Sequence, residues 1–438
     1  LDDLRAEKCL DDSTVDHLLQ PAAKAAAESV AKALDADHTR EGPTGWKFDL
    51  DRAITTHTGD LDLDVSDWLK GETPVGATEE IPYRGIFPRS EESLAQQASL
   101  VFYEAREDGF VDCNYKSFDE NRHEAETELD RLVGLGHLRL VGSWQQVQGR
   151  WPDALATKIA VLIKEKADGS KKVRFVVDML RSGVNGVIKV FERIVLPRGK
   201  DLIESVLDLW HCARPQQTIE LLVVDFVDAF MNLRVKDKEK GFLVVTNGER
   251  KYFNYESVPF GLASAPLLWG RVAAWLGRLA QAISKAHVLR LQIYVDDPAL
   301  AALGDTKSRN RAFARVLLMW LALGAKLAWS KAALGSSVTW TGATYEVPPF
   351  GIVASISEER LGNLVDSARS IRESGSSLVK GLRSFAGEIN WVAGIVPRLR
   401  PFVSMVYAAM AAHDESQKKA TRKRPKGMYF LKQVQRPL

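Results

Sequence analysis

The sequence predicts an α+β protein. Apolar runs rich in Val and Ile recur between residues 158 and 297, short enough to be buried strands. They are interleaved with longer helical patterns, and after Pro348-Pro349 only helical patterns remain. At 438 residues and 45% hydrophobic content the chain can bury a large core, and roughly two to four domains are expected.

The N-terminal region, 1–117, is acidic and carries no recognisable chemistry. Pro21 is expected to open the Ala-rich helix PAAKAAAESVAKAL, since proline fits a first turn and alanine has the highest helix propensity. Residues 40–90, rich in Gly, Pro, Thr and Asp, read as loops or disorder. Ser90 before Glu91 and Glu92 reads as the start of a helix to about Arg106.

Region 118–350 has a different texture. Ser117-Phe-Asp-Glu120 has the form of a capping box ahead of a helix to Val133, stopped by Gly134. KIAVLIKEK, KVRFVVDM, IELLVVDF, GFLVVTN and RLQIYVDD read as strands, and the run after Pro266, LLWGRVAAWLGRLAQAI, as a long helix. Region 351–412 is expected to be helical. Ser357 caps a helix to about Ile371, Ser376 or Ser377 caps a second to about Ile395, and a third beyond Pro397 ends near His413. Region 413–438 is a basic tail, with eight Lys/Arg in KKATRKRPKGMYFLKQVQRPL and no acid.

Composition narrows the function classes. No apolar run reaches ~18 residues, so no membrane-spanning helix and no membrane partner is expected. Neither a secretory signal nor a Met start is present, and the chain reads as a piece of a longer open reading frame. Cys9, Cys113 and Cys212 lie far apart with no CxxC pair, which argues against a disulfide framework or zinc knuckle. It suits a reducing intracellular setting, cytoplasmic or nuclear. The net charge of +2 hides an asymmetry: residues 1–130 hold 31 acids and 13 bases, and the remainder holds 26 acids and 46 bases. A basic body with an acidic appendage suits a polyanion partner. A shield over that basic body is one role the charge suggests for the appendage.

Two strands end in carboxylates: LLVVDFVDAF at Asp225, and LRLQIYVDDPAL at Asp296-Asp297. A carboxylate at the end of a buried strand is costly unless its charge is compensated. Hard oxygen donors from neighbouring strands suit Mg²⁺, and two such ions serve phosphoryl transfer. A bare Asp-Asp turn between strands is the bland alternative.

The order of motifs from Glu124 to Ala412 resembles a reverse transcriptase of the kind encoded by retroviruses and by gypsy-type or DIRS-type retrotransposons. Lys164 to Arg174 and on to Asp178 resembles the fingers strands. Val224-Asp225-Phe-Val-Asp228-Ala-Phe230 resembles motif A. Val258-Pro-Phe260-Gly261-Leu-Ala-Ser-Ala-Pro266 resembles motif B. Tyr294-Val-Asp296-Asp297 resembles the YxDD box, and Gly324-Ala-Lys326-Leu with Lys331 resembles motif D. Trp340-Thr-Gly342 resembles the primer-gripping hairpin, and Leu382-Arg-Ser-Phe385-Ala-Gly387-Glu-Ile-Asn390-Trp391 a thumb-side segment.

The resemblance implies a right-hand polymerase with an antiparallel palm sheet backed by helices: fingers at 131–198 and 232–258, palm at 199–231 and 259–346, thumb at 347–412. It implies an RNA-directed DNA polymerase that extends a primer on an RNA or DNA template with dNTPs and two Mg²⁺. Asp225 and Asp296 would be the metal ligands, with Asp297 a third carboxylate, less directly ligating. Lys331 would protonate the leaving pyrophosphate, or be an exposed lysine. Lys164 and Arg174 would hold the triphosphate, Asp228 and Ala229 would offer it backbone N–H groups, and Phe230 would exclude a 2′-hydroxyl. Phe260 and Gly261 would lie beside the nucleotide.

Two departures stand out. Pro298 follows the Asp pair where an aliphatic residue is usual. VVDMLRSGVN replaces the usual fingers segment, although Asp178, Arg181 and Asn185 can be matched. The residues after Ala412 are too few for a ribonuclease H or integrase, which the resemblance then places elsewhere. The rival readings are a decayed or domesticated element that binds nucleic acid without catalysis, and an RNA-templated RNA polymerase, against which Phe230 and YVDD speak.

Overall fold

The computed structural model describes residues 1–6, 10–90, 111–165, 169, 171–374, 376–419 and 428–430. The helix expected from Ser90 to Arg106 and most of the basic tail lie outside the described residues. The protein mixes helix and sheet, as the apolar runs predict: each of the five runs contains a strand.

The organising element is an antiparallel four-stranded sheet, in the order Ala333–Gly335, Thr218–Val223, Asp297–Gly304, Leu289–Tyr294. Asp297–Gly304 is a nearly unbroken buried apolar run because helices cover both faces there, whereas the edge strand Leu289–Tyr294 is mostly half-buried and carries Arg290 and Gln292. Ile219, Leu221 and Val223 share a core with Leu202, Val206 and Leu209 of the helix Gly199–His211. Leu222 and Val224, pointing the other way, share a core with the helices Ala265–Ala282 and Thr306–Ala322. Ala265–Ala282 buries Leu268, Trp269, Val272, Trp275 and Leu276, as a helix enclosed on most sides must.

A smaller sheet, ordered Leu138–Gly142, Tyr252–Tyr255, Val244–Thr246, Ala156–Thr157, lies in the same body. The hairpin of Ile159–Glu165 and Lys171–Val177 buries Val161, Phe175 and Val177 on one face. It exposes Leu162, Lys164, Lys172, Arg174 and Val176 on the other.

Residues 40–90 are loop in part, as their composition suggests, with no helix and only isolated bridges over 71–90, and are helical in part. Phe48–Thr58 and Asp64–Lys70 are helices, and Trp46, Leu50, Val65, Trp68, Leu69, Val75 and Ile81 join the main core. Two of the glycines terminate helices: Gly59 and Gly71 are left-handed C-caps (φ 65° and 113°). The Ala-rich helix spans Asp12–Leu34, with Pro21 inside it on an exposed face. The Asp11 carboxylate, accepting the Thr14 N–H at 2.8 Å, sets the start that proline was expected to set. Asp60, Asp62 and Asp64 are at most partly exposed and pair with Arg278, Arg271 and Arg84.

Other boundaries differ for equally local reasons. Ser117 caps nothing: its hydroxyl accepts the Val161 N–H at 3.1 Å, and the helix breaks at Asn121 into Lys116–Glu120 and Arg122–Gly134. Strands do not stop at Pro349. Val353–Ser355 extends the sheet of Ser337–Trp340 and Ala343–Glu346, and Ser376–Leu378 pairs with Met428–Phe430. That pairing draws Ser376 and Ser377 into a strand and leaves Leu378 as the N-cap of Val379–Val392. Glu358–Ser374 and Arg400–Lys419 run past Ile371 and His413, because a helix need not end where its apolar stripe does. The last three helices share a core of Ile371, Leu382, Phe385, Ala386, Val406 and Met410. They meet the Ser337–Glu346 hairpin at Trp391, whose Nε1–H donates to the Thr341 carbonyl at 3.1 Å beneath the Arg360 guanidinium.

Candidate active site

Backbone pairing brings the acidic strand ends together. Beyond Val223 the chain stays strapped to the neighbouring hairpin: Val224 N–H donates to the Pro298 carbonyl at 3.2 Å, and Phe226 N–H to the Asp296 carbonyl at 2.8 Å. Asp225, between them, is therefore set beside the Asp pair. Tyr294 pairs with Asp297 across the hairpin, leaving Val295 and Asp296 as a two-residue turn. Val295 has φ 57°, a left-handed backbone that costs a β-branched residue about 1–2 kcal/mol. Two indoles hold the turn: Trp269 Nε1–H donates to the Val295 carbonyl at 2.8 Å and Trp340 Nε1–H to the Asp297 carbonyl at 2.9 Å. The twist lets neighbouring Asp296 and Asp297 both act on Asp225, which a regular strand would prevent. Pro298, with no N–H to give, leaves its pair with Val224 a single bond.

Asp296 and Asp297 both hold their protons more tightly than an ordinary carboxyl does. Burial pushes Asp297 up to about 7, aided by the charges of Asp296 and Asp225 and by the hydrogen bond it gives Asp225. Asp296 is raised by burial and by Asp225, while Lys331 and Arg174 pull it down. The Lys331 ammonium meets Asp225 Oδ2 at 2.8 Å, with its side chain 56% exposed. Lys331, in contact with Asp225, and Arg174 at longer range are thus the cations that act on Asp296.

This donor set fits a hard divalent cation by chemistry: oxygen ligands only, partly desolvated, with charge in excess. Its side chains are turned toward one another and toward Lys331. Among the described residues, no group of three or more His, Cys, Asp or Glu stands in ligating geometry.

The other expected residues are distributed around this end of the sheet. Asp228 is exposed and left-handed (φ 51°), leading into the turn Ala229–Asn232. The half-buried Phe230 ring meets Phe260 edge-on at 5.1 Å, and Phe260 is 52% exposed. Gly261 has φ 99°, and a side chain there would strike the Val177 carbonyl, so only glycine fits. Arg174 is exposed on the Ile159–Val177 hairpin and its field reaches Asp296. Lys164 shares that face, opposite Lys172, while Arg174 lies opposite Leu162. No contact brings Lys164 to the carboxylates.

Several residues shape the site through contacts that their sequence positions do not announce. Asn232 Nδ2 donates to the carbonyls of Val227 (2.8 Å) and Asp228 (3.1 Å), while its Oδ1 accepts the Trp46 indole N–H at 3.2 Å. Asn185 clamps the Phe260-Gly261 loop: its Nδ2 donates to the Gly261 carbonyl and its Oδ1 accepts the Ala263 N–H, both at 2.8 Å. Trp269 is visible in sequence only as an apolar residue, and Trp340 as part of the Trp340-Thr-Gly342 segment, with nothing to show that its indole bonds the Asp297 carbonyl. The spacing of Asn185 and Asn232 from the motifs was the available hint, and it does not reveal a partner.

No protein-family model matches the sequence, and no curated protein matches it. Among solved structures, the foamy viral protease-reverse transcriptase in complex with RNA/DNA hybrid aligns at TM-score 0.46 and 15% identity, covering 74% of this chain and 37% of that one. The complex with dsDNA aligns at TM-score 0.47 and 17% identity, covering 76% of this chain and 57% of that one. The chain thus spans well under two thirds of the length of those structures. These likenesses are distant, and the chemistry of the site stands on its own residues.

Proposed function

We propose that the chain is an RNA-directed DNA polymerase of a retroelement, extending a primer 3′-hydroxyl with dNTPs on an RNA or DNA template. One observation carries the reading: Asp225, Asp296 and Asp297 converge where the strand Thr218–Val223 and the neighbouring hairpin end, with more negative charge than Lys331 compensates. Surplus charge held in place against desolvation marks a site built for a cationic ligand.

Asp225 and Asp296, with Asp297 beside them, would hold two Mg²⁺. When bound, the ions supply activation of the 3′-hydroxyl and charge stabilisation at the leaving pyrophosphate. The chain's own residues do the rest. Asp297 gives up its proton as the site fills with positive charge, because what raises its pKa includes the uncompensated Asp225 and Asp296. Lys331, the ammonium at Asp225, stands where charge on a departing pyrophosphate would be met and can give it a proton. Arg174, with Lys164 on the same hairpin face, offers a fork and a point charge to the triphosphate. Asp228, exposed, and Ala229, buried behind it, would offer the triphosphate their backbone N–H groups. The braced pair Phe230–Phe260 forms a wall against a 2′-hydroxyl, favouring deoxynucleotides. In this reading the central sheet is the palm, the Ile159–Val177 hairpin belongs to the fingers, and the last three helices form the thumb. Lys and Arg contacts to phosphates would give affinity without sequence choice.

Primer extension on an RNA template with dNTPs and Mg²⁺, comparing the full chain with Asp296→Asn, tests the reading. Extension that needs Asp296 is expected. No extension by the unaltered chain, with retained nucleic-acid binding, would favour a non-catalytic element instead. Phe230→Ala should admit ribonucleotides, and continued rejection would remove Phe230 as the sugar gate.

A further inference from the structure

Lys331 reaches Asp225 from a single short turn, Trp329–Lys331. Its stem is more than half exposed, so packing along the side chain does not aim it, and its direction follows from where the turn is held. On the inner side, Ala328 N–H donates to the Asp225 carbonyl at 2.9 Å. On the outer side the turn is held by the start of the acidic helix Asp12–Leu34. Asp12 Oδ1 accepts the Ser330 N–H at 2.7 Å and its Oδ2 accepts the Ser330 hydroxyl at 3.2 Å, while Asp16 Oδ1 accepts the Trp329 indole N–H at 2.8 Å. Asp12 and Asp16 are one helical turn apart and present a single face. Bonds from N–H to a carboxylate are among the stronger ones a protein makes. The helix itself is fixed by the Asp11 cap and by Ala23, Ala27 and Ala31, buried against the main body.

We propose that Asp12 and Asp16 are positioning residues for Lys331. They hold the Trp329–Lys331 turn so that the ammonium meets Asp225, and the acidic N-terminal segment thereby completes an active site it does not touch. The kinetic consequence rests on the polymerase reading; the geometric claim does not.

The test uses the full chain with Asp12→Ala and Asp16→Ala, singly and combined, and with Asp12→Asn and Asp16→Asn, which keep an acceptor oxygen. Amide hydrogen exchange over 328–332, measured without template or nucleotide, should speed up about tenfold in the double alanine variant. It should change little in Asp16→Asn, and strands 218–223 and 297–304 should keep their protection. In primer extension the double alanine variant should lose about 5–10-fold in kcat, with KM for dNTP within about twofold, and that loss should vanish in a Lys331→Ala background. Unchanged exchange over 328–332 overturns the proposal. So does a kcat loss that persists without Lys331, which would mark a general structural effect. If the unaltered chain extends no primer, the polymerase reading falls, and the exchange result alone decides whether Asp12 and Asp16 hold the turn.

Discussion

Two acidic clusters lie in this molecule, and they are treated in opposite ways. Asp60, Asp62 and Asp64 meet arginines in forked pairs. Arg278 grips Asp60 at 2.7 and 2.8 Å. Arg271, with no side-chain exposure, grips Asp62, reaches Asp64 at 2.7 Å and the Pro82 carbonyl at 2.8 Å, and lies over Trp68. Arg84 completes the set at Asp64. Asp60 and Asp64 accordingly hold their protons less tightly than usual, and only Asp62 is pushed up, by its burial. Asp225, Asp296 and Asp297 have one half-exposed lysine among them, and Asp296 and Asp297 are pushed up. Matched charge locks a layer to the body. Unmatched charge, held by strand pairing and a strained turn, is what the proposed function assigns to a cationic ligand.

That contrast is broken most directly at the unmatched cluster. Asp296→Asn should lower primer extension by about 10³-fold or more while leaving the fold intact, since removing one charged catalytic group commonly costs on that scale. Extension rates with and without the substitution decide it. The matched cluster should show the reverse, a loss of stability. Arg271→Ala leaves Asp62 buried without its partner, and about 3–5 kcal/mol should be lost in chemical denaturation. Arg271→Lys should recover little, because an ammonium cannot reproduce the fork.

A buried group outside both clusters sharpens the point. Burial, helped by Arg234, pushes His137 down to about 4, and its Nδ1 lies 3.0 Å from Ser257 Oγ. The fold therefore favours the neutral ring. That stability is complete above about 6.5 and lost as pH falls through about 4, amounting to roughly 2–4 kcal/mol. His137→Gln should flatten denaturation midpoints across that window. Asp297 has the opposite sign. With its folded-state pKa at about 7, above the ordinary carboxyl value, the fold binds a proton that the unfolded chain releases, so stability falls as pH rises from about 4 to about 7. Asp297→Asn should remove that slope and stabilise the protein at pH 8 by about 1–2 kcal/mol, read as a rise in Tm without added Mg²⁺.

Much of this was legible in the sequence because the signals are local. Val-Ile runs ending in Asp225 and Asp296 announce buried strands with acidic ends, and a glycine in Phe260-Gly261 announces a close backbone approach. The register that sets Phe226 against Asp296 is not local, nor is the left-handed Val295 or the indole bonds of Trp269 and Trp340. The helices at 48–58 and 64–70 were hidden for the same reason. The glycines and aspartates around them look like loop composition, and the arginines that pair with Asp60 and Asp62 lie on a helix two hundred residues away.

The sequence by itself determined which residues could carry charge and chemistry, and where strands and the main helices run, since both follow from side-chain type and spacing. Tertiary structure alone decided which acids are neutralised and which are left in excess. It also decided that the start of the Asp12–Leu34 helix holds the turn behind Lys331. Compensation of charge depends on distance in space, and distance in space depends on how every other element packs.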